Sequence, residues 1–111
     1  MTPKQFKKYL DRDYGHCCHC GVEDDTLIPQ HRSNRGMGSV KSRNADANIL
    51  VMCSAFNGLV ESNSDAAALA LKNGWKLQSW DNPEFVPFWD VVFQQWFILG
   101  NDGSRSVFIE D

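Results

Sequence analysis

Three cysteines within four positions, Cys17, Cys18 and Cys20 in the run GHCCHCG, constrain this chain more than any other feature, and a fourth stands at Cys53. The run reads as a tight, glycine-bounded turn. A Cys-x-x-Cys pair there fits a zinc knuckle or a redox pair, and coincidence also accounts for it. The N-terminus has no signal-peptide pattern, so metal or thiol chemistry is expected ahead of disulfides, and the expected location is cytoplasmic. At 111 residues, 42% hydrophobic and 23% charged, the chain is expected to form one globular domain over residues 1–111. No apolar run is long enough to cross a bilayer, so no membrane partner is expected.

Pattern along the chain predicts an α+β fold. Pro3 to Asp11 reads as a helix capped by Thr2, with Phe6, Tyr9 and Leu10 on one face. Thr26 to Arg32 reads as a strand, residues 33–47 as polar loop, and Asn48 to Met52 as a short extended piece. Ser54 to Asn73 reads as one alanine-rich helix stopped by Gly74. Beyond it, aromatic residues crowd a stretch holding two prolines, where the tryptophans are expected in the core. Gln95–Leu99 and Ser106–Ile109 are expected to pair as a hairpin about Asn101-Asp102-Gly103. The tail from residue 74 to 111 is expected to pack on the preceding part and complete its core.

The net charge of −3 argues against indiscriminate binding to nucleic acid, but its distribution is uneven. Residues 1–60 carry eight Lys or Arg against six Asp or Glu, and residues 61–111 carry three against eight. Between Thr26 and Asn44 the charged residues are Arg32, Arg35, Lys41 and Arg43, all basic. Such a segment suits a phosphate backbone, and a solvated loop accounts for it as well. Arg32 and Arg35 are the first candidates for phosphate contacts, because a guanidinium matches phosphate bidentately.

The order of polar residues adds more. His31 ends a predicted strand, Asn48 opens the next extended piece, Cys53 follows it, and Asn57 falls at the start of a predicted helix. With the segments HRSNRGMG from His31 and NILVMC from Asn48, the chain resembles the HNH nuclease superfamily, and within it small phage and prophage HNH proteins. The later VES, GW, NP and terminal W-x-x-L-x-x-DG segments look like that group, and Cys53-x-x-Phe56-Asn57 is similar to the spacing of the endonuclease VII branch.

The resemblance implies a ββα-metal core over residues 16–73 with a C-terminal β-hairpin extension over 74–111. It implies a divalent-metal-dependent endonuclease that nicks or cleaves DNA, located in the host cytoplasm if phage-encoded. His31 would be the general base, with Asn48 holding the loop and orienting the imidazole. One Mg²⁺ or Mn²⁺ would be held by Gln30, Asn57 and Glu61. Family members usually carry His or Asp where this chain has Gln30, and a neutral amide is a poorer ligand for a hard cation. Singly, Asn57 and Glu61 also read as ordinary polar residues of a helix surface.

Cys17, Cys20 and Cys53 match three positions of the structural zinc site of relatives with two Cys-x-x-Cys pairs, and Phe56 stands at the fourth. Either Cys18, His16 or His19 completes the shell, or zinc is lost and Phe56 fills the space. The alternative function is a catalytically degenerate HNH-fold protein that binds nucleic acid or a protein partner without cleavage. A plain zinc-knuckle interaction module is a third reading. Monomer and homodimer are both open.

Overall fold

The computed structural model describes residues 1–33 and 43–109. Helix α1, Pro3–Arg12, begins where the sequence places it, because Thr2 and Gln5 form a reciprocal capping box and Pro3 needs no hydrogen-bond acceptor in the first turn. Its buried Tyr9, with Phe6 and Leu10 beside it, packs on Ile49 and Val51. Lys8 and Tyr9 both hydrogen-bond the Asp46 carboxylate. Burial, followed by that bond, pushes the Tyr9 phenol up to about 12.

Strands β1, Leu27–His31, and β2, Ile49–Cys53, pair antiparallel, with His31 opposite Ile49 and Leu27 opposite Cys53. All five residues of β2 are buried. Alternation explains this: Ile49 and Val51 face α1, while Leu50 and Met52 join the main core on the other side. A short 3-10 turn, Asp46–Asn48, leads into β2.

Helix α2, Ser54–Ser62, follows β2 without a loop and buries Phe56 and Val60, four residues apart on one face. The single helix expected over Ser54 to Asn73 is in fact two. Asn63 takes extended backbone angles, φ −126 and ψ 123, and its side chain accepts from the Ala66 amide, so it ends α2 and caps α3, Ser64–Lys72. Helix α3 buries only Ala70. Gly74 then turns the chain at φ +73, where a Cβ would lie 2.0 Å from the Pro87 carbonyl oxygen.

The last third forms a three-stranded antiparallel sheet rather than the expected two-stranded hairpin. Strand β3, Phe88–Asp90, pairs with β4, Gln95–Leu99, which pairs with β5, Arg105–Val107. Phe88, Phe97 and Leu99 enter the same core cluster as Leu50, Met52, Phe56 and Trp75. The tryptophans divide: Trp75 is buried, Trp89 and Trp96 meet edge to face, and Trp80 is 79% exposed, contrary to its expected place in the core. The described residues therefore make an α+β structure of three helices and two small antiparallel sheets.

Candidate functional site

His31 closes β1, and its Nε2 lies 2.7 Å from Asn44 Oδ1. An amide oxygen only accepts, so in the neutral ring Nε2 carries the proton and Nδ1 keeps the lone pair. Asn48 is wholly buried. Its Oδ1 accepts the Ser33 amide at 2.9 Å, and its Nδ2 donates to the carbonyls of Ser33 at 3.0 Å and Arg43 at 2.7 Å. That one side chain ties the segment leaving β1 to the segment returning to β2.

His31 opens on a cleft of about 470 Å³, which Gln30 and Ser33 border beside it and Glu61 borders from α2, with residues 76–79 completing the wall. Gln30 is buried, and its amide is committed at both ends: Nε2 donates to the Trp75 carbonyl at 2.8 Å, and Oε1 accepts from Asn57 Nδ2 at 3.1 Å. Glu61 is exposed. Of the expected metal ligands, Gln30 and Asn57 thus touch each other, and Glu61 shares the cleft with Gln30.

The basic segment is corrected at Arg32. This residue borders the cleft, yet its side chain is 1% exposed. Its guanidinium donates to four backbone carbonyls: Gly74 at 2.8 Å, Ala47 and Pro83 at 3.0 Å each, and Val86 at 2.7 Å. With four of its five N–H groups spent on the fold, Arg32 keeps no bidentate pair of donors for a phosphate. Arg35 and Lys41 lie outside the described residues. Arg43 is exposed. A basic side chain that does line the cleft is Lys76, which charge counting in residues 26–44 had no means of finding.

A second cluster lies at the glycine-bounded turn. One ligand atom from each of Cys17, His19, Cys20 and Cys53 lies within 4.8 Å of the others, so the described residues hold a group able to bind a metal such as zinc. Cys20 and Cys53 sulfurs are 3.9 Å apart. Cys17 Sγ accepts from the amides of His19 at 3.4 Å and Cys53 at 3.2 Å, and Cys53 Sγ accepts from the Phe56 amide at 3.5 Å. Burial pushes the Cys17 thiol up to about 11 and lowers His19 from the usual histidine value.

His16 and Cys18, both open at the sequence level as a fourth ligand, lie elsewhere. His16 Nε2 bonds both oxygens of Asp90, and buried Cys18 is held by backbone bonds to Val51 and Val91. Phe56 does fill core space, but as the ring on which His19 stacks, centroid to centroid at 3.6 Å and 6° from parallel. His19 was legible as one option among three. Asn44, the partner of His31, had no signal in the sequence.

No helix among the described residues is long and apolar enough to cross a membrane. Comparison with family models, with curated proteins and with solved structures returns no match.

Proposed function

We propose that the chain is an HNH-type endonuclease of the ββα-metal kind, nicking or cleaving DNA with His31 as general base. One observation carries this reading: His31 ends β1 over a cleft that Glu61 of α2 also lines, in a strand–strand–helix unit formed by β1, β2 and α2. Phosphodiester hydrolysis needs a deprotonated water and relief of charge on the leaving oxygen. Asn44 favours the tautomer in which the Nδ1 lone pair is free to take a proton from water. Asn48 keeps the flanking chain in place, and Lys76 supplies positive charge toward a phosphate in the cleft.

The donors that fit a hard cation are the Glu61 carboxylate and the Asn57 amide oxygen, since Asn57 spends its nitrogen on Gln30. Gln30 fits poorly because both ends of its amide are engaged. Bound there, Mg²⁺ or Mn²⁺ would supply charge stabilisation to the leaving oxygen. The engagement of Gln30 favours a second reading, an HNH fold that binds nucleic acid or a protein partner without cutting.

A plasmid-nicking assay with Mg²⁺ or Mn²⁺ against EDTA separates the two. The nuclease reading expects metal-dependent nicking that falls at least about 100-fold in His31→Ala. It also expects Asn44→Ala to lower kcat while KM holds. Nicking that persists unchanged in His31→Ala would overturn the mechanism. No nicking by the wild type, together with a gel shift of DNA that survives EDTA, would establish the second reading.

A further inference from the structure

We propose that Cys17, His19, Cys20 and Cys53 bind one zinc ion as a closed Cys₃His centre, and that Phe56 positions His19 as the fourth ligand. The proposal does not depend on the nuclease reading. Three sulfurs and one imidazole are a donor set suited to structural zinc. Tetrahedral zinc with Zn–S bonds of about 2.3 Å places its sulfurs about 3.8 Å apart. Cys20 and Cys53 already stand at 3.9 Å, and the widest ligand pair is no more than 4.8 Å.

The imidazole supplies an independent observation. His19 Nδ1 is buried and without a hydrogen-bond partner, a condition shared among the described residues only by Arg105 Nε. Ligation of a cation by its lone pair satisfies it. The ring is fixed from two sides, stacked on Phe56 and meeting Trp75 edge to face at 5.4 Å, while Phe56 itself meets Trp75 at 5.7 Å. Backbone amides of His19 and Cys53 point at Cys17 Sγ and that of Phe56 at Cys53 Sγ, an arrangement of N–H···S bonds that would hold both sulfurs in place around a metal.

Four protein ligands leave zinc no open position, so this centre is structural. It would fasten the turn of residues 17–20 to Cys53, the N-cap of α2, and so fix the start of the helix that carries Asn57 and Glu61. The aromatic residue where a thiol would complete a second Cys-x-x-Cys pair thereby supports the replacement ligand.

The test is metal analysis of the full chain purified under reducing conditions, then Co²⁺ and Zn²⁺ titration of the metal-stripped protein. About one zinc per chain is expected, with Co²⁺ giving tetrahedral ligand-field bands and sulfur-to-cobalt charge transfer. His19→Ala should weaken zinc about 100-fold or more, and Phe56→Ala about 10-fold with the cobalt spectrum retained. His19→Cys should keep tight binding with red-shifted cobalt bands, which guards against a variant that only unfolds. Cys18→Ala should bind as the wild type does. Absence of both zinc and tetrahedral cobalt in the reduced wild type would overturn the centre, as would a Cys20–Cys53 disulfide in its place. Unchanged affinity and spectrum in His19→Ala would overturn the fourth ligand.

Discussion

A guanidinium in a core is costly unless its donors have partners, and Arg32 places four of its five N–H groups on neutral backbone carbonyls. Those carbonyls belong to Ala47, just before β2, and to Gly74, Pro83 and Val86 in the chain between α3 and β3. Arg32→Met keeps the stem and strands the acceptors, so it should lower stability by about 3 kcal/mol or more, read as the urea midpoint. A cost below about 0.5 kcal/mol, as for a surface arginine, would contradict the assignment. Asn48 is specified as narrowly: one acceptor faces the Ser33 amide, and two donors face carbonyls. Asn48→Asp keeps the acceptor but sets a carboxylate against two carbonyl oxygens, and should cost more than about 2 kcal/mol in thermal or urea unfolding. The position of Asn48 is marked in the sequence by a resemblance to the HNH order. The fate of Arg32 is not, because local sequence records its charge and not the distant carbonyls that use it. His19 is similar: spacing makes it a candidate, but only the folded arrangement separates it from His16, which bonds Asp90, and from Cys18, which lies outside the cluster.

At the level of elements, the local signals that proved readable are those whose physics is local. Thr2, Gln5 and Pro3 start α1 by hydrogen bonds and backbone angles within one turn. Asn48 to Met52 reads as a short extended apolar piece from its composition alone, and the fold adds that both faces of β2 are covered, by α1 on one side and the main core on the other. The break between α2 and α3 is invisible to helix propensity, which sums over a window, whereas Asn63 acts at one position by capping the next helix. Strand β3 is hidden for a related reason: three residues after two prolines carry no periodicity, and pairing with β4 defines them. The Gly74 stop was legible, but its necessity comes from the close approach of Pro87. Gly74→Ala combines a left-handed backbone with a methyl group forced onto that carbonyl. It should cost about 2–4 kcal/mol, more than the roughly 1 kcal/mol of a left-handed glycine in open space. Gly15, also at positive φ but with nothing within 4 Å of a Cβ, is the built-in control: Gly15→Ala should cost the smaller amount in the same denaturation assay.

Across the whole molecule, a buried ionic cluster joins the start of the chain to the last sheet. His16 Nε2 lies 2.9 and 2.8 Å from the two Asp90 oxygens, and Arg105 reaches Asp90 at 2.7 Å and Asp13 at 3.2 Å. Arg12 bonds the other side of Asp13 at 2.8 Å. The hydrogen bond to Asp90 raises His16 above the usual histidine value against the opposing effect of burial and of Arg105. For Asp90, burial pulls upward but the bonds from His16 and Arg105 outweigh it, and its pKa falls below the ordinary 3.8. The signs then give a window. Protonated His16 contributes its stabilisation fully below the unfolded histidine value of 6.5 and loses it as pH rises through the higher folded value. Ionised Asp90 contributes above its unfolded value and loses its share as pH falls through the lower folded one. The cluster should therefore hold the two ends together best in mildly acidic solution. Denaturant midpoints taken from pH 5.5 to 9, at fixed zinc, should fall for the wild type as His16 deprotonates. In His16→Gln, whose amide can still donate to Asp90 but cannot titrate, the decline should be smaller over the same range. Parallel profiles for the two proteins would mean that His16 binds its proton equally well folded and unfolded, so that the Asp90 contact does not favour its charged form.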